Sequence, residues 1–210
     1  MNALFNNIKW GEVKAVGFDM DGTLYDEYEF ISQVYSEINI RLINDLEVLR
    51  FMEKRWLEKG SSYPFIFQEA YSMASTIKMN EDSFVNFAVK IFREFNPNLC
   101  LSKRTKILLS HLKGKYPLFL ITDGSPILQR KKFLSLGLSE YFENINVVFT
   151  GDYNNEFHKP NIGSLIKIAI NNENLVYFGD RNKDEKFALD SGMQFQKVYE
   201  MIENKQGYYE

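Results

Sequence analysis

Asp19 and Asp21 stand two residues apart at the end of the apolar run Val13 to Phe18, and Gly22 and Thr23 follow. A glycine there lets the backbone turn sharply, which brings both carboxylates to one small volume. The other residues able to do chemistry stand after further apolar runs: Thr122, Lys159, Asp180 and Asp184. Four carboxylates converging on one crevice repel each other and resist ionisation unless positive charge lies between them. An all-oxygen donor set without histidine or cysteine points to a hard divalent cation, and so few carboxylates favour Mg²⁺ over Ca²⁺. Mg²⁺ beside a lysine implies a phosphate substrate. Phosphoryl transfer asks mainly for charge neutralisation, in-line positioning and a proton donor for the leaving oxygen.

The elements that must position these residues form a repeating series. Val13–Phe18 is short, apolar and partly β-branched, as suits a strand covered on both faces, and chemistry in open α/β sheets gathers beyond the carboxyl ends of such strands. Residues 117–121 make a second strand ending in Thr122-Asp123-Gly124, after which Ser125 is placed to cap a helix begun by Pro126 and closed by Gly137. Residues 145–149 make a third, leading to His158-Lys159-Pro160 and a helix containing Leu165, Ile166 and Ala169. Residues 175–178 make a fourth, ending in Gly179-Asp180, with a helix through Phe187 and Ala188 that stops near Gly192. A short strand around 195–198 closes the series. This alternation predicts an α/β fold, a Rossmann-like parallel sheet with helices on both faces.

Residues 25–102 read differently. Phe30, Val34, Ile38 and Leu42 recur every fourth residue, and Phe84, Phe87, Ala88, Ile91, Phe92 and Phe95 follow a helical stripe, with a turn at Gly60 to Pro64. The expected organisation is an all-helical insertion over 25–102 within a core made of 1–24 and 103–210. The tail from Asn204 to Glu210 is polar and expected to fray.

Composition narrows the function classes. The chain has 210 residues, 45% of them hydrophobic, enough for a full core. A net charge of −3 with no basic bias and no polybasic tail argues against a nucleic-acid polymer as partner. The only cysteine, Cys100, rules out an internal disulfide, fits a reducing compartment and reads as a small buried or half-buried apolar residue. Asn6, Asn7, Lys9 and Glu12 interrupt any signal-type run, and no stretch approaches the roughly 18 apolar residues of a membrane span. A cytoplasmic location with no membrane partner is expected. The oligomeric state is not legible here.

Asp19-Met20-Asp21-Gly22-Thr23, Ile121-Thr122-Asp123-Gly124, His158-Lys159-Pro160 and Gly179-Asp180-Arg181-Asn182-Lys183-Asp184, in that order, resemble the four motifs of the haloacid dehalogenase superfamily, in its phosphatase branch with a helical cap inserted after the first strand. The resemblance spans essentially the whole chain. It implies Asp19 as nucleophile, forming an aspartyl-phosphate, and as Mg²⁺ ligand. Asp21 would protonate the leaving group, deprotonate the attacking water and ligate the metal through its backbone carbonyl, and it must be able to hold a proton. Thr122, with the Asp123-Gly124 backbone, would bind the phosphoryl oxygens, and Lys159 would balance charge on nucleophile and phosphate. Asp180 would bind Mg²⁺ directly and Asp184 directly or through water, while Thr23 would orient Asp21. In this superfamily an aspartate at the position of Asp21 marks phosphatases and phosphomutases and argues against dehalogenation.

Each of these residues alone has a plainer reading: a strand-end aspartate as turn former or helix cap, Asp180 and Asp184 as complements to a helix dipole, Lys159 as a surface lysine. Their joint occurrence at one sheet edge has no structural need behind it. His111 and His158 read as bland, and Arg181, Lys183 and Glu185 as solvated. In the insertion, Asp26, Glu27 and Tyr28 lie near the site by connectivity. Arg41, Arg50, Arg55 and Lys59 could meet a second anion, and Tyr63, Phe65, Phe67 and Tyr71 could stack on substrate, although amphipathic helix faces and an aromatic core explain them more simply. Gln129 and Lys132 resemble positions in cap-bearing phosphatases. The expected function is Mg²⁺-dependent hydrolysis of small phosphate monoesters such as a sugar phosphate, nucleotide or phospho-acid. A phosphomutase of the same chemistry is the alternative, and a non-catalytic regulatory module a more distant one.

Overall fold

The computed structural model describes residues 5, 7–170 and 173–198. The tail from Asn204 to Glu210 lies outside them. Two compact units are present, one made of Met1–Glu27 with Leu99–Glu210, the other of Tyr28–Asn98.

The first unit is built on five strands, β1 (Ala15–Phe18), β2 (Leu118–Thr122), β3 (Val147–Phe149), β4 (Leu175–Gly179) and β5 (Gln194–Lys197). All pair in parallel in the order β3-β2-β1-β4-β5. Every residue of β1, β2 and β4 is buried, which is why these strands read as continuous apolar runs rather than alternating ones. The edge strand β5 is half-buried and carries Gln194, Gln196 and Lys197, polar groups that discourage further pairing. Gly17 in β1 lies opposite Phe119 on one side and Tyr177 on the other. A Cβ at Gly17 would come 2.2 Å from the Phe119 ring and 2.7 Å from that of Tyr177, so the strand is closed to side chains where the two rings meet. Phe119, Ile121, Val148, Tyr177, Phe187 and Ala188 belong to one core cluster.

The chain runs from β1 through β2 to β3 on one side, then returns to β4 and β5 on the other. The order therefore reverses between β1 and β4, and the crevice beyond their carboxyl ends is where such sheets bind ligands. The helices α5 (Lys103–Lys113), α6 (Pro126–Ser135) and α7 (Asn182–Asp190) connect the strands; α1 to α4 belong to the other stretch of chain. Ser102 caps α5 by accepting from Thr105 N–H. Ser125 occupies the cap position of α6, but its side chain makes no capping bond, and Pro126 in the first turn starts that helix instead.

The second unit is all helical. It holds α1 (Glu27–Ile38, begun on the last residue of the first unit), α2 (Leu46–Lys59), α3 (Ile66–Met73) and α4 (Glu81–Glu94), with Asp45 and Asn80 capping α2 and α4. Phe30, Val34 and Ile38 are buried along α1. A strict four-residue repeat outruns a 3.6-residue turn, and α1 widens into a π-helical segment over Asn39–Ile43, closed by Asn44 in the left-handed region. Arg55 pairs with Glu58 and Glu69, and Tyr63 donates to Glu69, so the plainer reading of these residues fits their contacts. Phe87 departs from its stripe and is 52% exposed.

Three further local expectations fail. The third strand begins at Val147, because Asn144–Asn146 forms a 3₁₀ turn. Residues 162–167 form a 3₁₀ segment and not an α-helix. Gly163 is a poor helix former, and its backbone lies so close to Glu156 that a Cβ would sit 2.6 Å from that carbonyl oxygen. Cys100 is exposed, because it alternates with the buried Leu99 and Leu101 in an extended stretch. No helix among the described residues is long and apolar enough to cross a membrane.

Candidate active site

Asp19 follows β1 directly, and its N–H donates to Phe178 O at 2.9 Å, tying the β1 end to β4. Gly22 turns the chain with φ 75°, and a Cβ there would lie 2.4 Å from Asp180 Oδ2, so the loops after β1 and β4 meet where only glycine fits. Thr122 is the buried last residue of β2. Lys159 arrives on the loop after β3. Asp184 stands in the first turn of α7, where its Oδ2 accepts the Arg181 N–H at 3.1 Å, so it serves the helix start as well as the site.

The ammonium of Lys159 is the centre of one cluster. It donates to Asp19 Oδ1 at 2.5 Å, to Asp184 Oδ1 at 2.6 Å and to the Tyr177 hydroxyl at 3.2 Å, and that hydroxyl donates onward to Ile121 O at 2.9 Å. The Lys159 side chain has no solvent exposure. Burial opposes its charge, but Asp19, Tyr177 and Asp184 outweigh that and raise its pKa well above the ordinary lysine value. Burial pushes Asp19 up to about 7, with Lys159 opposing and the Asp184 and Asp180 charges adding to the rise.

Asp21 has a separate set of partners. Lys132 Nζ donates to its Oδ1 at 2.7 Å, Gln129 Nε2 to its Oδ2 at 2.6 Å, and the Tyr25 hydroxyl to Oδ1. Burial alone would raise this carboxyl, but Lys132 and the hydrogen bonds hold it below the ordinary aspartate value. As it stands, Asp21 is a base. Thr23 does not orient it: the Thr23 hydroxyl is buried without a hydrogen bond among the described residues, and Tyr25, Gln129 and Lys132 hold the carboxylate instead. Thr122 Oγ1 accepts from Gln129 at 2.8 Å. The Asp123 carboxylate takes Lys183 Nζ at 2.7 Å, Thr150 Oγ1 at 2.8 Å and the Lys159 N–H at 3.2 Å, fixing the loop that carries Lys159. Gly124 is exposed, with φ 127°.

The expected residues thus fall into linked groups: Asp19, Asp180 and Asp184 around Lys159, and Asp21 and Thr122 around Gln129. Sequence reasoning passed over Tyr25, Thr150, Tyr177 and the pairing of Lys183, and gave Gln129 and Lys132 no role. Two signals were available. Gln129 and Lys132 are three residues apart on α6 and so share a face, and Tyr177 is a hydroxyl within an otherwise apolar strand.

Asp19, Asp180 and Asp184 each place a carboxylate oxygen within 4.8 Å of the others. Asp180 Oδ1 is buried with no hydrogen-bond partner among the described residues, which suits it to serve as a cation ligand. Burial raises Asp180 as well. The ion-paired network of the site sets six carboxylates, Asp19, Asp21, Glu27, Asp123, Asp180 and Asp184, against the four cations Lys132, Lys159, Arg181 and Lys183. Two negative charges remain over, the charge one divalent cation supplies. The residues therefore fit a hard divalent cation. Lys159 and Arg181 N–H already engage both oxygens of Asp184, which leaves Asp180 the more available ligand.

The family description haloacid dehalogenase-like hydrolase matches residues 13–192. A glyceraldehyde 3-phosphate phosphatase of Methanocaldococcus jannaschii is 28% identical over 197 residues, covering 86% of this chain and 82% of that protein. Among solved structures, a superfamily hydrolase of Geobacter sulfurreducens aligns with TM-score 0.64 at 23% identity, covering 87% of this chain and 85% of that one. A Bacillus subtilis hydrolase solved bound to magnesium aligns with TM-score 0.58 at 17% identity, covering 89% and 87%. With a parallel sheet, a carboxylate cluster beyond β1 and β4, an inserted all-helical unit and a match over most of its length, the chain belongs to the haloacid dehalogenase-like hydrolases and is an enzyme of that hydrolase family.

Proposed function

We propose that this protein is a Mg²⁺-dependent phosphatase of small phosphate monoesters. The observation that carries this reading is the division of Asp19 and Asp21 between two buried cations: two carboxylates two residues apart, one on Lys159 and the other on Lys132. Such a division suits one carboxylate to attack and the other to move protons. An Asp19 oxygen attacks phosphorus, and the leaving oxygen departs with a proton from Asp21. Water then attacks the aspartyl-phosphate, giving its proton to Asp21 and releasing inorganic phosphate with Asp19 restored. Thr122 and the Asp123-Gly124 backbone hold the phosphoryl oxygens, and Lys159 balances their charge. Mg²⁺ held by Asp19, Asp180 and the Asp21 carbonyl, with Asp184 behind them, would neutralise the phosphoryl group and keep Asp19 ionised at neutral pH.

The Lys132 contact suits Asp21 to the second half of this cycle, where it acts as base. In the first half it must arrive protonated, against that contact. Asp21→Asn should therefore cost about 10²- to 10⁴-fold on alkyl phosphates and distinctly less on aryl phosphates, whose leaving groups need no proton. Equal losses would count against the proton-transfer role.

Substrate choice is assigned to the helical unit of residues 28–98, because the phosphate and metal groups of the core read nothing beyond the phosphoryl group. The name of the Methanocaldococcus relative makes phosphorylated three-carbon aldehydes the first substrates to try. The test is a panel of those, larger sugar phosphates, nucleoside monophosphates and phospho-acids, assayed with Mg²⁺ and with chelator. Release of phosphate that stops on chelation is the expected result, and Asp180→Asn should raise the Mg²⁺ needed for half-maximal rate at least about tenfold. Full activity in excess chelator would overturn the metal assignment, and an isomerised sugar phosphate without free phosphate would indicate a mutase.

A further inference from the structure

We propose that Gln129 is a positioning residue that sets the rotor of Thr122, so that the threonine hydroxyl keeps its only proton for the phosphoryl group. This rests on the phosphatase reading above. Gln129 lies in the first turn of α6, seven residues after Thr122, and is 3% exposed. Its Nε2 lies 2.6 Å from Asp21 Oδ2, 2.8 Å from Thr122 Oγ1 and 2.7 Å from Asp123 O. Chemistry decides which end of the amide points there. With Oε1 in that position, an oxygen would face a carboxylate and a carbonyl, neither able to donate; with Nε2 there, two protons meet three acceptors.

An amide nitrogen only donates, so in its contact with Gln129 Thr122 is the acceptor, one of three that share the two protons. A hydroxyl has one proton and two lone pairs. With a lone pair facing Gln129, the Thr122 proton is directed elsewhere than at Gln129, and the place of Thr122 at the carboxyl end of β2 leaves it for an oxygen in the crevice. The same nitrogen grips Asp21, so the proton-transfer group and the phosphoryl donor share one buried anchor on a rigid helix. Without it, the Thr122 hydroxyl could turn its proton to a protein acceptor. The proposed effect is preorganisation, in which a donor stays aimed at the charge that grows in the transition state.

The test is a double-mutant cycle on Gln129→Met and Thr122→Val, with p-nitrophenyl phosphate and Mg²⁺. An aryl substrate is chosen because its leaving group needs no proton from Asp21, and kcat/KM reports the steps through aspartyl-phosphate formation, before Asp21 acts as base. Gln129→Met should lower kcat/KM about tenfold in the wild-type background, and weaken inhibition by inorganic phosphate, but cost less than about twofold further in Thr122→Val. Thr122→Ser, which keeps the hydroxyl, should keep the tenfold dependence on Gln129. A merely structural role would cost the same in all three backgrounds, and that outcome, or no loss in Gln129→Met, overturns the inference. Should Gln129→Met fail to show a cooperative melt, Gln129→Asn withdraws the amide by one methylene and carries the same cycle. Wild-type turnover with an additive cycle overturns this inference alone. Lack of wild-type turnover on any phosphate ester overturns the phosphatase reading, and this inference with it.

Discussion

Asp19→Asn is expected to abolish turnover, lowering kcat by about 10⁴-fold or more, while the chain stays folded. An amide oxygen is not a nucleophile toward phosphorus, so the covalent step has no substitute in the site. The fold should tolerate the change, because burial already disfavours the Asp19 charge and an amide oxygen can still accept from Lys159. Acid quench of the wild type during turnover, followed by peptide mass spectrometry, should find a phosphoryl group on the peptide containing Asp19. The variant should carry none and melt within a few degrees of wild type. A phosphoryl group on any other residue, or substantial turnover by the variant, would refute Asp19 as nucleophile.

Lys159→Met should damage stability and activity together. Asp19 and Asp184 both rest on this ammonium, and its loss leaves two buried carboxylates facing each other across a methionine. Breaking a buried ion pair from one side costs about 3–5 kcal/mol, which in a protein of this size lowers Tm by roughly 10 °C. Thermal melts check this directly. Millimolar Mg²⁺ should recover part of the loss in Lys159→Met, because a cation between Asp19 and Asp180 replaces some of the missing charge, and less in Lys159→Met/Asp180→Asn. An unchanged Tm in Lys159→Met would mean that the two carboxylates do not depend on Lys159 for their burial.

Much of this architecture can be read from local pattern. Short β-branched and aromatic runs, each ending in Asp or Thr with a glycine close by, locate β1, β2 and β4, because a strand covered on both faces has no polar positions to spare. The strand ends also locate Asp19, Asp21, Thr122 and Asp180, since parallel strands all deliver their carboxyl ends to one edge. Local pattern fails where local preferences are weak or overruled. Residues 162–167 have apolar spacing suited to a helix, yet Gly163 packs backbone against Glu156 and the segment tightens to 3₁₀.

Which charge meets which was decided by tertiary structure alone. Lys159 and Asp19 are 140 residues apart, Lys132 and Asp21 111, and Gln129 and Asp21 108. No spacing rule reaches across such distances. The strand order β3-β2-β1-β4-β5 and the rotation of α6 about its axis put Lys132 on Asp21 and Lys159 on Asp19, and the depth of β4 puts the Tyr177 hydroxyl beneath Lys159. The sequence by itself determined which groups gather at the sheet edge, because strand burial and glycine turns are properties of short segments. Their partners, and through them which carboxylate is pushed up and which held down, depend on low-dielectric contacts of a few ångströms that exist only once the sheet has assembled.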